Sequence, residues 1–353
     1  MASWLVVRLG RAAVAAWLIA SLVFISSRLL PGSPEQQVLT DAGDLSRPLV
    51  GLNSAASREV ARQALRHRLG LELPLFYVTR SAGPPMRWHW HGTANQYHAW
   101  VIGLLHGDWG RSYRDDQPVT TLMGQALAYS VPLAGSAAVL AVGLALGLGL
   151  YLARAPGGPL RQLVFTVLGG LQVTPLFLLA LGLLLLLANP DFLNLLPAAG
   201  QAPADSSSWQ QASYWLARSA LPLLSLVLAV LPELTLPLVA LLRHEARAGY
   251  AITARAKGLT MKQMLRHHAL PNALLPLLTT FTGLLPTLVA GTVVVEVLFA
   301  LPGSGRLLAE AAAAHDYPVV VAGVLLTALV RLLGLVLADA LYFLIDPRLR
   351  PAT

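Results

Sequence analysis

The sequence predicts an all-α integral membrane protein of six transmembrane helices, with a large external domain between the first and second and a cytoplasmic helical loop between the fourth and fifth. Three observations carry this. Of 353 residues, 56% are hydrophobic and only 12% charged, more apolar surface than one soluble core can hide. Six apolar runs, near 8–30, 130–153, 162–188, 217–242, 272–299 and 319–345, reach the roughly 20 residues needed to cross a bilayer. Basic residues, finally, alternate between sides. Arg154 and Arg161 bracket the second loop, Arg243, Arg247, Arg255, Lys257, Lys262 and Arg266 crowd the fourth, and Arg348 and Arg350 lie in the tail. Short loops on the other side carry little such charge, so the positive-inside rule puts both termini in the cytoplasm.

Residues 1–30 form the first span. Arg8 and Arg11 before an apolar core resemble a signal peptide, but Leu29-Leu30-Pro31-Gly32 follows where a small-residue cleavage site would stand, so the expectation is a retained helix. Residues 31–128 are the external domain, because long loops translocate largely regardless of their charge. His89, His91, His98 and His106 there alternate with Trp88, Trp90, Tyr97 and Trp100. Their spacing fits no tight metal-ligand set, and the mixture suits a surface that meets another protein.

Residues 129–346 hold the five remaining spans and the loop 243–271, and residues 347–353 form a cytoplasmic tail. Gly143-x-x-x-Gly147 invites close helix packing, and Pro175, Pro222, Pro232, Pro237, Pro276 and Pro286 should kink or break several spans. Glu233, Arg331 and Asp339 are ionisable groups inside spans. Burial of a lone charge is costly, so each should face protein or water: Glu233 pairing with Arg331 is one arrangement, with Asp339 competing for the arginine, and separate water-facing positions on the path are the alternative.

The loop 243–271 contains the only two lysines, Lys257 and Lys262. Helix formers run up to Gly258, a residue suited to the left-handed position after a helix end. Thr260 then precedes Gln263 at capping-box spacing, and Leu259, Met261, Met264 and Leu265 give a second helix an apolar face. The pattern reads as helix, glycine hinge, helix. An apolar knob with a basic rim is suited to insertion into a groove of a cytoplasmic partner; a helix lying on the bilayer surface and a plain connecting loop are the alternatives.

Ile252-Thr253-Ala254, Gly258 and His268-Ala269-Leu270-Pro271 resemble, with spacing intact, the E-A-A, three residues, G, nine residues, I-x-L-P loop of permease subunits of type I ATP-binding-cassette importers. Tyr250 to Gly258, Y-A-I-T-A-R-A-K-G, is similar to the peptide and nickel branch, Y-x-R-T-A-R-A-K-G. Further segments resemble that branch: Leu30-Pro31-Gly32, Gly107-Asp108-Trp109-Gly110-Arg111-Ser112, Val295-Glu296-Val297-Leu298-Phe299 with Pro302-Gly303, Asp316-Tyr317-Pro318, Asp339-Ala340-Leu341-Tyr342 and Asp346-Pro347-Arg348. Ile252, His268, His315 and Leu335 depart from it.

The resemblance implies a multi-pass subunit of the bacterial inner membrane forming half of a path for peptides or a similar small solute, nickel among them. It implies four kinds of partner: a second homologous permease, cytoplasmic ATPase subunits, an external solute-binding protein and the lipid bilayer. Tyr250, Thr253, Ala254, Arg255, Ala256, Lys257, Gly258, Leu259, Met261, Leu270 and Pro271 would couple to the ATPase.

No G-x-x-x-x-G-K-S/T phosphate cradle occurs, so ATP hydrolysis would belong to another chain, and no cofactor is expected. His244-Glu245-Ala246-Arg247-Ala248 lacks the second histidine of a zinc protease, and Pro302-Gly303-Ser304-Gly305 is not a hydrolase elbow, so neither metal site nor catalytic residue is expected. The arginines form no basic stripe with interleaved aromatics, which speaks against nucleic acid despite a net charge of +8. An ion-coupled secondary transporter is the alternative, for which Glu233, Arg331 and Asp339 would serve but no inverted repeat is seen.

Overall fold

Long helices take up the apolar runs in the computed structural model, which describes residues 2–29, 63, 72–80, 87–154, 157–196 and 208–345. In chain order these are α1 (Ala2–Leu29), the strands β1 (Val78–Arg80) and β2 (Trp88–Trp90), α2 (Gln96–Leu105), α3 (Val119–Ala153), α4 (Pro159–Val173), α5 (Leu176–Leu187), α6 (Ser208–Glu245), α7 (Gly249–Ala256), α8 (Met261–Met264), a π turn (Leu265–Ala269), α9 (Leu270–Leu298), α10 (Ser304–Ala313) and α11 (Tyr317–Ile345). Much of the segment 31–128, and the tail 347–353, lie outside the described residues. Among the described residues three helices are long and apolar enough to cross a membrane, Val119–Ala153, Leu216–Glu245 and Tyr317–Val336, or four if α4 and α5 count as one broken span.

Two compact units divide the chain. The first takes in Met1–Ala12, Leu127–Arg306 and Leu329–Thr353. Its centre is α6, which packs on α4, α5 and α9. Leu133, Leu152, Leu168, Leu221, Leu226, Leu234 and Leu288 form its core. Close helix approach occurs at glycines other than the expected pair. A Cβ on Gly149 would come within 2.5 Å of Leu238, and one on Gly291 within 2.9 Å of Leu226, whereas Gly143 and Gly147 meet nothing within 4 Å. A G-x-x-x-G spacing shows only that a groove exists on one helix, not that a neighbour fills it.

The third apolar run is not one straight helix. α4 and α5 meet at a bend of 116°, because Pro175 has no N–H to donate and holds Thr174 at φ −86°, ψ 119°, outside the helical region. Elsewhere proline does not interrupt the helix: Pro222, Pro232 and Pro237 lie inside α6, and Pro276 and Pro286 inside α9. Packing of a long helix among its neighbours holds it continuous past a single lost bond. The basic residues of the 2-3 loop and the end of α6 close helix termini. Arg243 donates to the Leu152 carbonyl at 3.0 Å and lies over the Phe165 ring; Arg161 donates to the Arg154 carbonyl at 2.9 Å.

The second unit comprises Ala13–Ala126 and Leu307–Ala328. A two-stranded antiparallel ribbon pairs Val78 with Trp90, Thr79 with His89 and Arg80 with Trp88. Gln96 and Tyr97, at the start of α2, donate backbone bonds to Pro74 and Leu75 just before the ribbon. Val119, Met123, Ala311, Val319 and Ala322 make a separate small core.

Candidate functional site

The loop between α6 and α9 is built as its sequence suggests. α7 closes in a Schellman turn: Gly258 stands at φ +92°, its N–H donates to the Arg255 carbonyl at 2.9 Å, and the Leu259 N–H reaches back to Ala254 at 3.3 Å. Thr260 then caps α8 through a reciprocal capping box with Gln263. Beyond it Leu270 bonds Leu265, five residues back, where an α-helix would bond four back. Pro271 supplies the reason. It offers no N–H, and its ring would meet the carbonyl of His267 in a regular helix, so one wider turn admits it before α9 continues.

What the loop does with its apolar residues differs from the expected knob. Met264 and Leu265 are fully buried in this chain, with Ala251, Ala254 and Ala269, against Ala153, Leu238, Leu242, Ala273 and Leu277 at the ends of α3, α6 and α9. Leu259, Met261 and Leu270 pack half-buried onto the same cluster. The apolar face is therefore the loop's seat on its own helices. The outward face carries Ile252 (61% exposed) with Thr253, Arg255, Ala256, Lys257 and Gly258. Pro271 is exposed at the start of α9. Tyr250 donates to the Glu245 carboxylate across the α6–α7 corner. Burial and then that carboxylate raise its phenol above the ordinary value, so it stays a donor at neutral pH.

A second arrangement stands at the far end of α9, where motif matching alone assigns no role. Glu296 is 1% exposed. Its Oε1 accepts from Ser130 at 2.6 Å, and its Oε2 accepts from the backbone N–H groups of Gly305 at 2.7 Å and Arg306 at 3.2 Å. The Ser304 N–H in turn donates to the Ser130 hydroxyl at 2.8 Å. A carboxylate thus closes the open N-terminus of α10. Gly303 leaves room beside it: a Cβ there would lie 2.2 Å from the carboxyl carbon and would have to push the carboxylate off its partners. The signal available in the sequence was the pair of glycines flanking Ser304, small residues where a helix starts beside something bulky.

In the second unit two segments far apart in sequence clasp each other. Asp316, buried, accepts from the Ser112 hydroxyl and from the Tyr113 N–H at 3.0 Å. The Ser112 hydroxyl also accepts from Arg114 and Asp115. G-D-W-G-R-S and D-Y-P, two separate motifs in the sequence, are one structural feature.

Of the two intramembrane arrangements, the pair is not formed in this structure. Glu233 on α6 and Arg331 on α11 are both exposed, and among the described residues no ion pair or hydrogen bond joins them. The Asp339 side chain lies outside the described residues. Of the histidines in the segment 31–128, His91 shares a hydrogen bond with Thr79 at 2.6 Å, His98 with Tyr77 at 3.0 Å, and His106 with the Ile102 carbonyl at 2.8 Å. Among the described residues no three metal-ligating side chains gather.

Comparison with known proteins places this geometry. Residues 145–351 match the family described as the binding-protein-dependent transport system inner membrane component. A dipeptide transport system permease protein of Lactococcus lactis subsp. cremoris (strain MG1363) is 28% identical over 99% of this chain and 100% of its own. A putative peptide transport system permease protein of Brucella abortus (strain 2308) is 31% identical over 99% of each chain. An oligopeptide transport system permease protein of Bacillus subtilis (strain 168) is 30% identical over 72% of this chain and 79% of its own. A match over more than half of the sequence, with similarity along nearly all of it, means that this chain belongs to the family of inner-membrane components of binding-protein-dependent transport systems.

Proposed function

We propose that this chain is the permease subunit of an ATP-binding-cassette importer for peptides, contributing six spans and half of the path, with both termini in the cytoplasm. One observation carries the coupling role. The loop is anchored through Ala251, Ala254, Met264 and Leu265 to the ends of α3, α6 and α9, while Ile252, Arg255, Ala256 and Lys257 face away from the chain. A push on the outer face is therefore delivered to helices that line the bundle, because the buried interface is close-packed and does not yield. ATP-binding-cassette subunits on separate chains would give that push. A second permease of the same family would complete the path, and an external solute-binding protein would load it. The peptide class is supported by the names of the relatives, which cover this chain from end to end.

The reading is tested in vesicles containing both permeases and the ATPases. Uptake of a labelled peptide should require ATP and the solute-binding protein, cease when the ATPase subunits are left out, and persist in a protonophore. Uptake that collapses with the protonophore and ignores ATP would establish an ion-coupled carrier instead.

A further inference from the structure

We propose that α2 and the β1–β2 ribbon form a seat in the outer leaflet of the bilayer, with Trp88, Trp90, Ile102 and Leu105 in contact with lipid. The proposal rests on the reading of α1 as a span with its Arg8 and Arg11 end in the cytoplasm.

Depth comes first. α1 has 28 residues, about 42 Å of helix at ~1.5 Å per residue, against ~30 Å of hydrocarbon. A centred helix therefore projects about 6 Å beyond the hydrocarbon at each end. Phe24 lies five residues before Leu29, about 7 Å inward, and Ser21 about 12 Å inward, so they stand roughly 1 Å and 6 Å inside the hydrocarbon border. α2 is fastened at that level. The Trp100 ring stacks on Phe24 with centroids 4.9 Å apart, Tyr97 meets the same ring edge-on at 5.7 Å, and the Tyr97 hydroxyl bonds Ser21 at 2.8 Å.

Composition says what lies on the other side of α2. Its ten residues, Q-Y-H-A-W-V-I-G-L-L, include no Asp, Glu, Lys or Arg, and none is buried. A helix that is apolar around most of its circumference is a poor surface helix for water. At the level of the lipid headgroups it is well solvated, its rings forming part of the aromatic belt. Leu105 is 76% exposed at its C-terminal end.

The ribbon continues the surface. Tyr77 ties it to α2 through the His98 ring, and Trp90 stacks on Tyr77 at 6.0 Å. Trp88 and Trp90, on the same side of the strand at a spacing of two, are 71% and 73% exposed. The Arg80 guanidinium lies 6.0 Å from the Trp88 ring. An indole beside a cation matches the headgroup region, where the ring takes the glycerol and upper acyl level and the cation an anionic phosphate.

The chain has no cysteine, so single cysteines can be placed freely for labelling. The full chain with Trp88→Cys, Trp90→Cys or Leu105→Cys would carry an environment-sensitive fluorophore in nanodiscs of phosphatidylethanolamine and phosphatidylglycerol. Leu22→Cys, on the exposed side of α1, marks the lipid, and Lys262→Cys marks water. The three test sites should lose fluorescence to a nitroxide carried high on the lipid chain and be shielded from iodide, as Leu22→Cys is. Quenching by iodide without quenching by the lipid nitroxide would overturn the seat while leaving the permease reading intact. Shielding that arises only on adding the solute-binding protein would overturn it in favour of protein docking. Loss of lipid quenching at Leu22→Cys itself would instead sink the underlying assignment of α1 as a span.

Discussion

Gly258 shows what a single residue decides in this molecule. At φ +92° a side chain would be held in a region that costs an L-residue roughly 1–2 kcal/mol, yet nothing within 4 Å crowds the site. Gly258→Val is therefore expected to disturb the Schellman turn and not the packing beneath it. Peptide uptake should fail while the protein still inserts and still binds the ATPase. Normal uptake in that variant would remove the loop from the mechanism. Glu233 and Arg331 show the opposite case. Since they share no contact, Glu233→Gln and Arg331→Gln should shift thermal stability in detergent additively, within roughly 0.5 kcal/mol. A double mutant more stable than that sum would reveal a pairing reached through a partner subunit or another conformation.

At the scale of elements, the apolar residues of the loop 243–271 serve inward and its basic residues outward. Leu265 is wholly buried in the cluster under the loop. Leu265→Ala leaves a cavity there and should cost about 2–5 kcal/mol in the local opening free energy. The expected readout is faster hydrogen exchange and proteolysis in residues 249–269, with ATP hydrolysis continuing while uptake falls. Intact coupling with a loosened loop would mean that the seat is not the transmitting surface. α10 depends on another element in the same way. Glu296 satisfies two of its open N–H groups, and Gly303 makes room for that carboxylate. Gly303→Ala should therefore be strongly destabilising in a detergent melt, whereas Gly143→Ala, facing open space, should be near neutral.

For the molecule as a whole, contacts between distant segments matter most, and each belongs within its own unit. Ser112 and Asp316, separated by 204 residues in sequence, meet inside the second unit. Ser112→Ala and Asp316→Ala should each destabilise it. Because they share one buried network, the double mutant should differ from the sum by roughly 0.5–3 kcal/mol in thermal unfolding. Simple additivity would mean that the two motifs are only neighbours.

Sequence alone was enough for whatever depends on residues close together in the chain. Apolar run length located the long helices, and glycine after a helix-forming stretch located the Schellman turn at Gly258. Thr260 with Gln263 marked the capping box. These are local because dihedral preference and i to i+3 hydrogen bonds are local. Tertiary structure decided which faces are used. Met261, Met264 and Leu265 look alike to a pattern reader whether they face a partner or their own bundle, and only the positions of Leu238, Leu242 and Leu277 settle that. Gly149 became the close-packing glycine because Leu238 happens to face it. Glu296 reached Ser130, and Asp316 reached Ser112, across separations that no periodicity records. Long-range contacts are fixed by the mutual fit of several helices at once, and that information is spread over the whole chain and not written beside any of the residues that meet.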